Sequence, residues 1–163
     1  MPDSNNYPWK AGLGVFIINT SGPQTLLAFV QAHITVDSVL MAEAAALLLA
    51  ASIVQQLGFT NATFYTDNQS KANFYNSSSF SNPPHWKIKS LTAGFLKTLE
   101  GIQFRVHKIQ RSLNTTAHSL AHQAYRSTAA AISFSSTSTL HSTSDPCPPR
   151  DACFSVTRSL LAS

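Results

Sequence analysis

Ala62-Thr63-Phe64-Tyr65-Thr66-Asp67-Asn68 is the stretch of this 163-residue chain on which the fold turns. The residues from Ala62 to Thr66 form a short apolar, β-branched and aromatic run that predicts a strand, and the run breaks at Asp67. A carboxylate therefore stands at the C-terminal end of the strand, the end at which open α/β sheets gather their ligands. Such a strand needs partners, and the flanking sequence supplies them in both directions.

Upstream, residues 39–57 are a long Ala/Leu-rich run with Ser38 placed as helix N-cap and Gly58 as the stop. The run approaches the ~20 residues of a membrane span. It is rich in Ala, carries Glu43 and ends in Gln55 and Gln56, which predicts a buried amphipathic helix and no membrane partner. Before it, residues 14–19 contain Val15-Phe16-Ile17-Ile18 and lead into Ser21-Gly22-Pro23, the pattern of a strand buried on both faces. Residues 26–36 alternate, with Val30, Ala32, Ile34 and Val36 on one face and Gln31, His33 and Thr35 on the other, so the two strands form a hairpin.

Downstream, residues 68–76 suit a short helix, and Ser77-Ser78-Ser79 and Pro83-Pro84 mark a polar loop. Residues 85–99 read as a helix with Trp86, Ile88, Leu91, Phe95 and Leu99 on its apolar side. Ile102, Phe104 and Val106 alternate with Gln103, Arg105 and His107 as another strand. Asn114 caps a last helix on which Leu113, Ala117, Leu120, Ala121 and Ala124 recur at helical spacing. Strands mixed with long helices in this order predict an α/β fold with a mixed sheet flanked by helices.

Composition divides the chain near residue 126. Of the residues, 44% are apolar, enough for a core, while 11% are charged against roughly 25% in ordinary domains. The net charge of +4 lies wholly before residue 127 and is compatible with a polyanionic partner. Residues 127–163 include fifteen Ser or Thr among 37, with Asp145-Pro146-Cys147-Pro148-Pro149 in the middle, and read as a disordered tail. The folded domain is expected over residues 10–126. Both cysteines, Cys147 and Cys153, fall in the tail, and the polar N-terminus has no secretory signal pattern, so an intracellular protein, nuclear or cytoplasmic, is expected.

Two carboxylates stand out: Glu43 among apolar neighbours in the first turns of a helix, and Asp67 at a strand end. A buried carboxylate needs a partner, and the two could share a metal ion, although a surface position for Glu43 and a helix-capping one for Asp67 are the plainer alternatives. His118 and His122 share a helix face, but no third residue completes a zinc site.

In order and spacing these elements resemble the ribonuclease H type 1 domain, and more narrowly its plant retroelement-derived, reverse-transcriptase-like version. The resemblance covers about residues 10–126. It rests on Ala11-Gly12-Leu13-Gly14-Val15-Phe16-Ile17, on Ala42-Glu43-Ala44, on Tyr65-Thr66-Asp67-Asn68 and on Arg111-Ser112-Leu113-Asn114-Thr115-Thr116-Ala117-His118-Ser119-Leu120-Ala121. It implies an endonuclease that cuts the RNA strand of an RNA/DNA hybrid with two magnesium ions held by four carboxylates. Glu43 then matches the second carboxylate and Asp67 the third, the two candidate metal ligands, with Asn68, Asn114, Lys108 and Arg111 toward the substrate. Lys87, Lys89, Lys97 and Arg105 are further cations available to phosphates.

Two departures bear on activity. The fourth carboxylate position is His118, and neutral imidazole is a poor magnesium ligand. The first Asp belongs to a central strand that precedes the glycine-rich one, and only ten residues stand there, with Asp3 the sole candidate. The expectation is a sheet lacking its N-terminal central strand, as in a truncated product or gene model, with hydrolysis impaired. The alternative is an inactive nucleic-acid-binding or interaction remnant of a retroelement.

Overall fold

The glycine-rich segment and its partner form an antiparallel hairpin, β1 (Trp9–Asn19) and β2 (Thr25–Val36), with Val15 opposite Val30. The computed structural model describes residues 8–20, 25–77, 85–126 and 151–159. After the hairpin come α1 (Val39–Gln56), β3 (Asn61–Thr66) and α2 (Gln69–Asn76). A single 3-10 turn at Trp86–Ile88 leads into α3 (Lys89–Thr98), followed by β4 (Gln103–Lys108). A second 3-10 turn, Arg111–Leu113, precedes α4 (Thr115–Arg126), and a final strand, β5, spans Asp151–Ser159.

These strands make one five-stranded sheet in the order β2-β1-β5-β3-β4. β5 runs antiparallel to β1, with Val156 opposite Val15, and parallel to β3, with Phe154 opposite Phe64. The central place that the resemblance reserves for a strand before β1 is thus taken by a segment from the other end of the chain. The expectation of a tail without packed structure is corrected over Asp151–Ser159, whereas residues 127–150 and 160–163 lie outside the described residues, as does Asp3. The physical reason is backbone pairing. β1 and β3 flanking an empty place would leave two rows of unpaired N–H and C=O groups, and a run such as Cys153-Phe154-Ser155-Val156-Thr157 has the strand propensity to satisfy both.

The sheet is covered on both sides. In β1 the alternate residues Ala11, Leu13, Val15 and Ile17 are buried in the same core cluster as Ala46, Leu47, Ala50 and Val54 of α1. The intervening Gly12 and Gly14 lie against the backbone of α4 on the opposite face. Although α1 is long and apolar enough to cross a membrane, its residues Ala42 through Val54 supply the centre of this core, as the sequence reading expected of a buried helix. Its N-cap is Ser38, whose side chain accepts from the Met41 N–H at 3.2 Å, and Gly58 beyond its end takes a φ of 70°, a region open to glycine.

Phe95 of α3 ties the other half together, with ring centroids 5.3 Å from Phe64, 5.4 Å from Phe104 and 4.6 Å from Tyr75. Burial pushes the Tyr75 phenol above its ordinary range, and a hydrogen bond with Thr92 offsets part of the rise. Two apolar residues depart from expectation. Trp86 is 75% exposed and Leu113 is 70% exposed; each sits in a 3-10 turn outside the helix whose apolar face it was expected to join, and in the first of these turns Ile88 is the residue turned inward.

Candidate functional site

The carboxyl end of β3 sets the site. Asp67 follows the strand's last residue and is half-buried, and Asn68 is the N-cap of α2. The Asn68 carboxamide works in two directions. Its Oδ1 accepts from the Lys71 N–H at 3.1 Å, which starts the helix, and its Nδ2 donates to Glu43 Oε2 at 2.8 Å. Capping by Asn68 leaves Asp67 clear of the role of helix cap. The Asn68 backbone N–H in turn donates to Thr66 Oγ1 at 3.2 Å.

Glu43 lies in the second turn of α1 with its side chain 14% exposed, so its charge is largely removed from water. The same oxygen that takes the Asn68 amide also pairs with Lys71 Nζ at 3.0 Å, and Nζ donates to the Leu40 carbonyl at 2.9 Å. Lys71 is wholly buried. The structure therefore brings Glu43 together with Asn68, whereas the sequence pointed to Glu43 and Asp67 as a pair; Asp67 is the chain neighbour of Asn68. The structure adds a residue that the sequence reading passed over. The available signal was the placement of Lys71 in the first turn of a helix that begins beside Asp67, where a charged side chain on the inner face requires an opposite charge.

Of the cations, Lys108 and Arg111 stand at and just beyond the carboxyl end of β4, whereas Arg105 is mid-strand opposite Thr63, and Lys87, Lys89 and Lys97 belong to α3 and the turn before it. Lys108 ends β4 directly opposite Thr66 and is exposed. Arg111, also exposed, lines a cleft of about 330 Å³ with Thr115, His118, Ser119, His122 and Gln123 of α4. Asn114 is wholly buried, and its carbonyl accepts from the His118 N–H at 3.1 Å, so from inside the fold it orders the turn that carries His118. β5 completes the sheet with its one carboxylate, Asp151, opposite Asn61, at the far end of β3 from Asp67.

This donor set does not fit a pair of magnesium ions. One oxygen of Glu43 is committed to an ammonium and an amide, His118 is an imidazole where the resemblance sets a carboxylate, and no group of three or more His, Cys, Asp or Glu side chains suited to a metal occurs among the described residues.

A family profile described as reverse transcriptase-like matches residues 3–124. The chain belongs to this family. Its fold is that of ribonuclease H. The structure is similar to RNase H1 from the halophilic archaeon Halobacterium salinarum, with a TM-score of 0.62 at 20% identity over 76% of this chain and 90% of that one. It is also similar to the N-terminal RNase H domain of a Mycobacterium tuberculosis protein, with a TM-score of 0.64 at 21% identity over 72% of this chain and 84% of that one. The protease-reverse transcriptase of prototype foamy virus aligns over 79% of this chain and 22% of its own, with a TM-score of 0.50 at 15% identity. No curated protein matches the chain significantly. The mixed α/β architecture expected from the sequence and the ribonuclease H type resemblance are both upheld by these matches.

Proposed function

We propose that the protein binds nucleic acid, with RNA/DNA hybrid as the preferred ligand, and that it is impaired as a hydrolase. The observation that carries this reading is the position of Lys108 and Arg111. Both are exposed cations at the carboxyl ends of the strands, and Arg111 shares its cleft with His118. Phosphate oxygens are met by such side chains. Trp86 adds an exposed aromatic surface stacked on His85 with centroids 5.8 Å apart, a form suited to an unpaired base. An intracellular location and retroelement descent accord with this reading. A magnesium requirement does not, because the donor set leaves the carboxylates short of charge and oxygen atoms.

Fluorescence anisotropy with a labelled hybrid, in buffer containing EDTA, tests the proposal. Binding should persist without divalent cations, and Lys108→Ala and Arg111→Ala should each weaken it and lower the slope of log affinity against log salt by about 1. Cleavage of the same hybrid in magnesium should be undetectable or far below that of a complete ribonuclease H. Strong cleavage dependent on Glu43 and Asp67 would overturn the impaired reading, and salt-independent binding would overturn the phosphate contacts.

A further inference from the structure

We propose that Lys71 is the resident cation of the carboxylate site, a covalently attached ammonium holding the electrostatic place beside Glu43 that a divalent ion would otherwise take. The argument begins with burial. Glu43 is 14% exposed and flanked on its helix by the buried Ala42, Ala44, Ala46 and Leu47, and Lys71 is 0% exposed. Two opposite charges removed from water this far persist only when paired and hydrogen-bonded. Here they are, at 3.0 Å, with the ammonium also donating to the Leu40 carbonyl at 2.9 Å.

The pairing is fixed by secondary structure on both sides. Glu43 is carried by α1, whose start is set by Ser38, and Lys71 by α2, whose start is set by Asn68. Asn68 then joins the two, bonding the Lys71 backbone and the Glu43 carboxylate with one carboxamide. A divalent ion approaching Glu43 would meet an immovable positive charge about 3 Å from the oxygen it needs, at a site of low dielectric where the repulsion is poorly screened. The cluster is thus a lock against cation binding, and the site reaches its folded geometry without any metal.

Thermal unfolding of the full chain tests this, comparing EDTA with about 10 mM MnCl₂ or MgCl₂, since a ligand that binds only the folded state raises the midpoint. The unaltered protein should shift by less than about 1 °C under either cation. Lys71→Met leaves Glu43 uncompensated, so its midpoint should fall by roughly 5 °C or more and rise again in manganese. The double variant Glu43→Gln/Lys71→Met, with no charge left to balance, should recover most of the midpoint and ignore the cation. This arm decides the matter even when the single variant is too unstable to purify. A manganese-dependent rise in the unaltered protein would overturn the proposal, as would a folded Lys71→Met variant indifferent to the cation or a double variant no more stable than the single one. Hybrid binding in EDTA does not enter these readings, so failure here is distinguishable from failure of the nucleic-acid reading.

Discussion

A Cβ placed on Gly12 would lie 1.8 Å from the carbonyl oxygen of Ala121, and one on Gly14 would lie 2.2 Å from that of Ala117. Strand β1 and helix α4 therefore meet backbone to backbone, and the two glycines permit the contact that presents His118 and Arg111 beside the sheet. Neither obstructing atom belongs to a flexible side chain, so α4 itself would have to move.

Gly12→Ala and Gly14→Ala should each destabilise the protein by about 3 kcal/mol, the upper part of the overpacking range. Gly94 is the internal comparison. A Cβ there would meet the Leu48 methyl groups at 3.4 and 3.5 Å, ordinary or slightly tight contact. Gly94→Ala lies inside α3 and should be neutral or stabilising by up to about 1 kcal/mol. Urea unfolding of the three variants checks both, and equal losses at Gly12 and Gly94 would contradict the close contact with α4.

The exposed edge of the sheet has its own closure. Asn76, the last residue of α2, reaches β4 and imitates a neighbouring strand: its Oδ1 accepts from the Val106 N–H at 3.0 Å, and its Nδ2 donates to the Val106 carbonyl. Edge strands left open invite pairing with other chains. Asn76→Ala should cost about 1–3 kcal/mol and increase aggregation on heating, measured by light scattering alongside circular dichroism. Unchanged scattering with unchanged stability would show that the amide contributes nothing.

Strand β5 supplies ladder bonds to β1 and β3 together. Ending the chain at residue 150, or replacing Val156 with proline in the middle of the strand, should abolish a sharp cooperative thermal transition and expose apolar surface to a hydrophobic dye. A truncated chain that melts at the same temperature as the full one would show that β5 adds nothing to the sheet.

Alkaline pH should weaken the fold through Tyr75. Its phenol titrates higher in the folded protein than the ordinary 10.0, chiefly because burial disfavours the phenolate. The unfolded chain therefore loses this proton first. The contribution is fully present below pH 10 and is lost as pH climbs from there toward the folded value. Urea midpoints should fall between about pH 9 and pH 11, and Tyr75→Phe should flatten that fall while giving up the bond to Thr92. An equal fall in both proteins would assign the effect to other groups.

The amino-acid sequence determined what depends on near neighbours along the chain. The helix start at Ser38, the alternation through β2 and β4, and the carboxylate that ends β3 all follow from caps, periodicity and strand propensity within a few residues. The tertiary structure alone decided which distant groups meet. Lys71 neutralises Glu43, Asn68 bonds it across 25 positions, and Asn76 reaches Val106 across 30, because packing sets these pairs and no local period encodes them. The same reason explains β5. Averaged over residues 127–163, the Ser and Thr content masks a nine-residue strand whose place is visible only once β1 and β3 stand on either side of it with their backbone groups unpaired.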